Sequence, residues 1–483
     1  MFSAIVLTAI VLFAPLAIAV ERNVPSEYAT IQAAIDASSN GDVVIIAPGT
    51  YTGDGNRDID FLGKAITVRS TDPNDPCVVA ATVIDCNGSQ NYPHCGFYIH
   101  SGEDIDAIVD GFTITRGTGN YIGNGGGIFI QNSSPAISNN VIAGNGGFND
   151  FSGSGGNGGG IYSEGGSPLI KDNFITNNRA NGSSFPVPHE ECHLECEPWP
   201  GGICDWICET VWETVYEPGR GGGIYISGGS PVISNNIITA NISAKVDGAV
   251  VGYGSGIYVV NGNPIITNCA FNGNSAGYGG GIYCTSTTLI VTNNTITANT
   301  ATSGSGGGLY VSSSNVNVND SIIWGNNSTE LSGAATITFS DVNGGWTGTG
   351  NINADPCFVA GSGGSYYLSQ IAAGQTTNSP CVDAGSNYAA RIGFWDSSTR
   401  TDLVPDSDIV DMGYHSGRYN GSSPGNINND CVVDMVDFAI LASQWQQAPG
   451  TPSADIAPLG GDGIVDLDDL VLLAQSWLWM CPQ

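Results

Sequence analysis

Gly125-Gly126-Gly127-Ile128-Phe129, followed by Ser134-Pro135-Ala136-Ile137-Ser138-Asn139-Asn140-Val141-Ile142 and closed by Asn145, is one copy of a pattern that recurs along this chain. The hydrophobic–aromatic pair returns as Ile161-Tyr162, Ile224-Tyr225, Ile257-Tyr258, Ile282-Tyr283 and Leu309-Tyr310. Eleven residues after the first member of each pair stands Asn139, Asp172, Asn235, Asn268, Asn293 or Asp320. Six residues further stands Asn145, Asn178, Asn241, Asn274, Asn299 or Asn326, an Asn in every copy. All variation in length falls between that last Asn and the next pair. A unit with a fixed half and a variable half is a solenoid coil whose loops leave from one side. The short alternating segments within each copy predict strands. Stacked coils would bury their Ile/Val/Leu columns, align their Asn side chains in hydrogen-bonded ladders, and turn at Gly-rich corners. The expected fold is all-β, a parallel β-helix solenoid.

The chain has 483 residues, 69 of them Gly, with Lys+Arg 12 against Asp+Glu 44 and a formal net charge of −32. Such a surface repels phosphate backbones and anionic lipid, so the expected partners include no nucleic acid. Charged residues are only 12% of the chain and β-branched runs recur, which argues against a disordered acidic chain. Residues 1–19 read as a signal peptide: an apolar stretch from Ala4 to Ile18 ends in Ala17-Ile18-Ala19. No Lys or Arg precedes that stretch, and no other segment is long enough to span a membrane in the mature chain. The expected location is secreted, extracellular or at the cell surface. Thirteen Cys suit such a compartment. Cys357 with Cys381, Cys431 with Cys481, and two among Cys77, Cys86 and Cys95 are local pairs; connectivity stays open, and the odd total leaves one thiol over.

Residues 20–415 form the predicted solenoid. Ala29–Ala37 has helical spacing and would cap the first coil, and from about Asp355 the pattern decays into a closing cap. A Gly/Ser/Pro linker at 416–424 precedes a region of different composition, 425–483. There Asn426, Asn428, Asp430, Asp434 and Asp437 place oxygen side chains at loop positions 1, 3, 5, 9 and 12 before an apolar helix, and Asp462, Asp466 and Asp469 echo them before a second. Calcium needs six to eight oxygen ligands, which such spacing wraps around one ion.

The coil motif and the Thr30–Tyr51 stretch resemble the right-handed parallel β-helix proteins of the pectin-lyase-like superfamily. Ser379–Gly385 and Asp408–Gly413 look like the terminal module of its secreted bacterial members. That superfamily includes lyases, hydrolases, esterases, binding proteins and adhesins, so the resemblance implies a fold rather than an activity. Residues 425–483 resemble a type I dockerin, a small α-helical domain with two EF-hand-like calcium loops. The resemblance implies calcium as cofactor. Its ligands would be Asn426, Asn428, Asp430, the Val432 carbonyl, Asp434 and Asp437 in the first loop, and Asp462, the Ile464 carbonyl, Asp466 and Asp469 in the second. Pro458 and Gly460 occupy ligand positions of the second loop, and Asp455 would substitute for one if that loop is longer. A cohesin-like partner is implied too, although Met435-Val436 and Leu467-Asp468 stand where dockerins carry Ser/Thr.

The largest insertion, about 180–219, holds Cys192, Cys196, Cys204 and Cys208 with His189, His193, Trp199, Trp206 and Trp212. Four thiolates or a Cys/His mixture would suit zinc; two disulfides would staple a hairpin; the aromatics would suit sugar faces. Glu103, Asp104, Asp106 and Asp110 are the densest acidic group outside the tail, and glycoside hydrolysis needs two carboxylates, with Asp104 and Asp106 sharing a face on a strand. Arg116, Lys171, Arg179, Arg220 and Lys245 lie near variable corners without forming a lyase motif. No residue earns a catalytic role. The sequence favours a β-helix that binds a polysaccharide or surface glycan and is tethered by its tail. The alternative is a polysaccharide lyase or glycoside hydrolase carrying the same tail.

Overall fold

The computed structural model describes residues 19–89, 91–119, 124–147, 156–196, 204–244, 252–361, 364–394, 397–416, 435–447, 454 and 464–475, with backbone pairing alone over 183–216. Between Glu21 and Val342 the strands stack into four parallel sheets. One coil shows their order: Ile161–Glu164 in sheet I, Leu169–Lys171 in sheet II, Phe174–Thr176 in sheet III and Arg179–Asn181 in sheet IV. Among the described residues these sheets hold eight, eleven, ten and five strands. Register is kept from coil to coil. Ile161 pairs with Ile128 and Ile224, Ile170 with Ile137 and Ile233, and Ile175 with Ile142 and Ile238. All nine are fully buried in one continuous core. In most strands of sheets II and III three residues send one side chain inward, so each coil commits about one aliphatic residue to each of these sheets, worth roughly 1.5–3 kcal/mol of transfer each.

The corner between sheets III and IV carries the expected Asn ladder. Asn145, Asn178, Asn241, Asn274, Asn299 and Asn326 are buried; the Asn145 carboxamide oxygen accepts from Gly117 N, and each later one accepts from the Asn of the coil before. Asn178 Oδ1, for example, takes both the backbone N–H of Asn145 at 3.0 Å and its Nδ2 at 3.1 Å. The Glu330 carboxylate receives Asn326 at the ladder's end. The other expected column forms side-chain bonds between coils too: Asn235 Nδ2 donates to Asp172 Oδ1 at 3.2 Å and Asn268 Nδ2 to Asn235 Oδ1 at 3.0 Å. Asn139, Asp172, Asn235, Asn268, Asn293 and Asp320 have φ between 48° and 57° and form the left-handed corner itself, a conformation Asn and Asp tolerate best. Beside it their successors, Asn140, Asn173, Asn236, Cys269, Asn294 and Ser321, form a second ladder that accepts backbone N–H groups from coil to coil.

Gly158 shows why the third kind of corner is glycine. Its φ is +65°, and a Cβ there would sit 2.4 Å from the carbonyl oxygen of Ile161. Beyond each such corner an aromatic residue points outward from sheet I. Tyr98, Phe129, Tyr162, Tyr225, Tyr258, Tyr283 and Tyr310 stack with centroids 4.8–5.3 Å apart.

Helix α1 (Ile31–Ala37) starts at Thr30, whose hydroxyl accepts from Ala33 N at 3.2 Å, and buries Ile31, Ala34 and Ile35 in the solenoid core. Helix α2 (Pro76–Ala81) is an excursion capped by Asp75. Past Val342 the chain turns back. Gly413 N donates to Asp320 O, Tyr414 N to Thr295 Oγ1 and His415 N to Asn268 Oδ1, so this segment climbs three coils in the reverse direction along the outside. Tyr366, Tyr367 and Tyr414 pack there against Ala270 and Ile237 of sheet III.

Cys77, Cys86, Cys95, Cys269, Cys284, Cys357 and Cys381 are free thiols, so neither the Cys357–Cys381 pair nor a bridge within Cys77, Cys86 and Cys95 is made. Cys381 instead donates to Asp341 Oδ2 at 3.3 Å, and Cys95 to Phe97 O at 3.4 Å. Cys431 and Cys481 lie outside the described residues. No helix among the described residues is long and apolar enough to cross a membrane.

Candidate functional site

Three elements decide which flank of the solenoid is open. The outward rings of sheet I are consumed by stacking on one another, leaving only edges and hydroxyls for any ligand. The outward side of sheet III lies under the returning segment between Ile237 and Trp324, while Phe174 in an earlier coil is 38% exposed. Sheet II, between these, meets the return at Asn319, which donates to Ser386 Oγ, and is open around Ile265 and Ile290. At its corner with sheet I, Asn261, Asn263, Ser286, Thr288, Ser313 and Asn315 are all exposed. With Gly262 and Thr287 they line a shallow depression of about 440 Å3. Next to it Ile265 and Ile290, paired in register on neighbouring strands, are 39% and 40% exposed.

The depression contains amides and hydroxyls and no titratable group. It can hydrogen-bond a polyhydroxylated ligand, and the adjoining aliphatic strip can receive the apolar face of a sugar ring. It holds no group that could exchange a proton near neutral pH, which general acid–base catalysis requires. Sequence reasoning missed these residues because each lies in a turn or at the start of a strand, where small polar residues are ordinary. Their only signal is a small polar residue recurring four to six positions after the Ile–Tyr pair: Asn261 and Asn263, then Ser286 and Thr288, then Ser313 and Asn315.

The acidic group at 103–110 is dispersed. Glu103 is buried and accepts from Gly63 N at 2.9 Å, Ser101 N at 2.8 Å and Ser133 Oγ at 2.8 Å. Burial alone would raise its carboxyl, but these bonds hold it below the usual value. It is a staple between coils. Asp104 and Asp106 sit in an exposed turn rather than a strand, with Asp104 Oδ1 accepting from Asp106 N, so they share no strand face. Asp110 accepts from Ser138 Oγ and Asn139 Nδ2 of the next coil. The basic residues are likewise engaged: Arg116 with Asp85, Lys171 with Asp172, Arg179 with Asn181 and Arg220 with Glu217. Lys245 lies outside the described residues.

The two most strongly raised carboxyls, Asp341 and Asp411, lie where the returning segment packs. Asp383, Asp406 and Asp411 bring carboxylate oxygens within 4.8 Å of one another. Burial, then the neighbouring Asp406 charge, pushes Asp411 up to about 7. Gln370 Nε2, Thr399 Oγ1 and Asp383 N all donate to Asp411, and His415 Nε2 lies 2.9 Å from Asp406 Oδ2. Asp341, pushed up to about 6 by burial, accepts from Ala354 N and Cys381 Sγ. Asp341, Asp406 and Asp411 are buried and saturated with protein donors, which suits pinning the chain's return rather than meeting a substrate. Sequence reasoning named Asp383 and Asp411 only within motifs; their convergence depends on the return path.

In the tail, α3 (Met435–Ser443) and α4 (Leu467–Gln475) pack together around Leu441, Ala454, Val465 and Leu473. Gln446 N donates to Val465 O and Val465 N to Gln447 O, so the segment after α3 is paired with the one before α4. Of the expected metal ligands, Asn426, Asn428, Asp430, Val432, Asp434, Asp455 and Asp462 lie outside the described residues. Asp437 and Asp469 occupy equivalent places in the first turns of α3 and α4, and both are fully buried. Asp469 Oδ2 accepts from Asp466 N at 2.7 Å, and Ile464 is 52% exposed. Buried carboxylates at the start of two equivalent helices fit a hard, oxygen-seeking cation.

Residues 208–343 match the family model described as "Right handed beta helix region", and with the register above the solenoid is a right-handed parallel β-helix. Two solved structures are similar in part. One is a pectate lyase, Pel9A, 13% identical, covering 82% of this chain and 94% of that one with a TM-score of 0.39. The other is an alginate lyase from Paenibacillus sp. str. FPU-7, 14% identical, covering 65% and 91% with a TM-score of 0.27. Superpositions this loose carry no argument about activity. No curated protein matches the chain in sequence.

Proposed function

We propose that this chain is a secreted, non-catalytic β-helix that binds a neutral polysaccharide along sheet II and is tethered through a calcium-binding tail. The observation that carries the reading is the open depression lined by Asn261, Asn263, Ser286, Thr288, Ser313 and Asn315 beside the exposed Ile265–Ile290 strip. Identical rungs repeated along an axis suit a polymer of repeating sugar units. A formal net charge of −32 disfavours polyuronates, since no Lys or Arg lines the depression to offset it.

In the tail, Asn426, Asn428, Asp430, Asp434 and Asp437 with the Val432 carbonyl would hold one calcium ion. Asp462, Asp466 and Asp469 with the Ile464 carbonyl, and Asp455 in a longer loop, would hold a second. Bound calcium supplies charge compensation that lets these acidic loops close. Buried Asp437 and Asp469 tie each loop to the first turn of its helix. Met435, Val436 and Leu467 are 63%, 52% and 61% exposed, which supports a cohesin-like protein partner with an apolar contact surface.

The test is affinity electrophoresis and product analysis against neutral and uronate polysaccharides, with and without calcium. Retardation by a neutral glycan with no new reducing or unsaturated ends is expected. Asn263→Ala combined with Asn315→Ala should weaken that retardation about tenfold, the loss of two modest hydrogen bonds. Release of unsaturated or reducing ends would replace this reading with the enzymatic one.

A further inference from the structure

The insertion rises from the corner after sheet IV as a two-stranded antiparallel ribbon, Ser183–Cys196 against Cys204–Glu217. Its register sets Cys192 opposite Cys208 and Cys196 opposite Cys204. We infer that the ribbon is closed by two cross-strand disulfides, Cys192–Cys208 and Cys196–Cys204, and that its four cysteines do not form a zinc site.

Four cysteines allow three pairings, and the backbone eliminates two. Directly opposed residues of an antiparallel pair have Cα atoms about 4.5–5.5 Å apart, inside the range a disulfide spans. Cys192 and Cys196 are four residues apart on one strand, as are Cys204 and Cys208, which is about 13 Å at the rise of a strand. The diagonal pairs, Cys192 with Cys204 and Cys196 with Cys208, are at least as far apart. Residues with Cα atoms beyond about 7 Å cannot be bridged without moving the backbone.

The same spacing excludes a four-thiolate metal site. Sulfurs bound to one zinc lie within about 4.6 Å of each other, twice the bond length, whereas the two Cys rungs are separated by the Leu194–Trp206 rung and about 13 Å. The histidines cannot complete either half. His189 and His193 occupy odd register positions and the cysteines of their strand even ones, so they fall on opposite faces of the ribbon. What each opposed pair can do is oxidise. One cysteine thiolate attacks oxidised glutathione, forming a mixed disulfide and releasing one glutathione; the opposed cysteine then attacks the mixed disulfide at the protein sulfur and releases the second. Each bridge so passes two electrons and two protons to one oxidised glutathione, which leaves as two glutathione thiols.

The test uses the whole chain, equilibrated in a glutathione redox buffer and alkylated without reduction. Cleavage after Glu195, between Gly202 and Ile203, and after Trp206 separates all four sulfurs. The expected products are a Cys192 peptide joined to a Cys208 peptide, and a Cys196 peptide joined to a Cys204 peptide, each lighter by about two mass units than the sum of its thiols. Two double variants control for misfolding. Cys192→Ser with Cys208→Ser should keep the other bridge; Cys192→Ser with Cys204→Ser should leave Cys196 and Cys208 free to alkylate. Diagonal or same-strand linkage, four alkylated thiols under oxidising conditions, or a stoichiometric zinc ion lost on Ser substitution would each overturn the assignment.

Discussion

The two corners that flank sheet III are built on one principle and differ in strictness. Between sheets III and IV every rung from Asn145 to Asn326 is Asn, and from Asn178 onward each carboxamide oxygen receives two donors from the Asn of the coil before. Between sheets II and III the rungs read Asn140, Asn173, Asn236, Cys269, Asn294, Ser321. Cys269 Sγ accepts from Asn236 N at 3.5 Å, and Ser321 Oγ from Asn294 N at 3.1 Å. The fold therefore demands a short side-chain acceptor at each corner, so that a buried backbone N–H is never stranded. The full carboxamide is demanded only beside sheet IV. There the variable loops leave immediately afterwards, and the ladder is what holds the coil closed across each insertion.

The largest expected effect breaks the strict corner. Asn241→Leu strands the N–H and Nδ2 of Asn178 and the Ile175 carbonyl, and should lower unfolding free energy by about 3–5 kcal/mol in urea titrations. A pH effect follows. Asp341 and Asp411 have folded-state values near 6 and 7, above the ordinary carboxylate value. Their protonated forms favour the fold, so this contribution is complete below about pH 4 and is lost as the pH climbs through 6 and 7, on the order of 1–3 kcal/mol per group. Chemical denaturation at pH 4.5 and pH 8 should show the fall, and Asp411→Asn should flatten part of it. A swap within one coil sharpens the comparison. Asn274→Cys should cost about 2 kcal/mol, while Cys269→Asn should gain about 0.5–1 kcal/mol by replacing a sulfur acceptor with an oxygen. Equal and opposite effects would mean that the corners do not differ.

The solenoid was legible because a fixed spacing of Ile, aromatic and Asn residues leaves few other arrangements. Asn145 through Asn326 could be recognised as a ladder since every copy agrees. The second ladder, Asn140 to Ser321, went unrecognised because polar residues stand side by side, as in Asn139-Asn140 and Asn235-Asn236. Only the left-handed φ of the first member shows which one turns inward. The acidic group at 103–110 misled for a different reason. Glu103 is consumed by donors 40 and 30 residues away, Gly63 and Ser133, and no local pattern records such partners. The open flank of sheet II was invisible too, since its exposure depends on where residues 413–416 return. The ribbon's cysteines were visible as two evenly spaced pairs, but strand register was needed to oppose them.

Crystals of the chain soaked with neutral oligosaccharides of glucose, xylose or mannose test the central claim most directly. An intact sugar seated over Ile265 and Ile290, hydrogen-bonded by Asn263, Thr288 and Asn315, is the predicted result. A sugar bound to another flank, or found cleaved beside a pair of carboxylates, would contradict it.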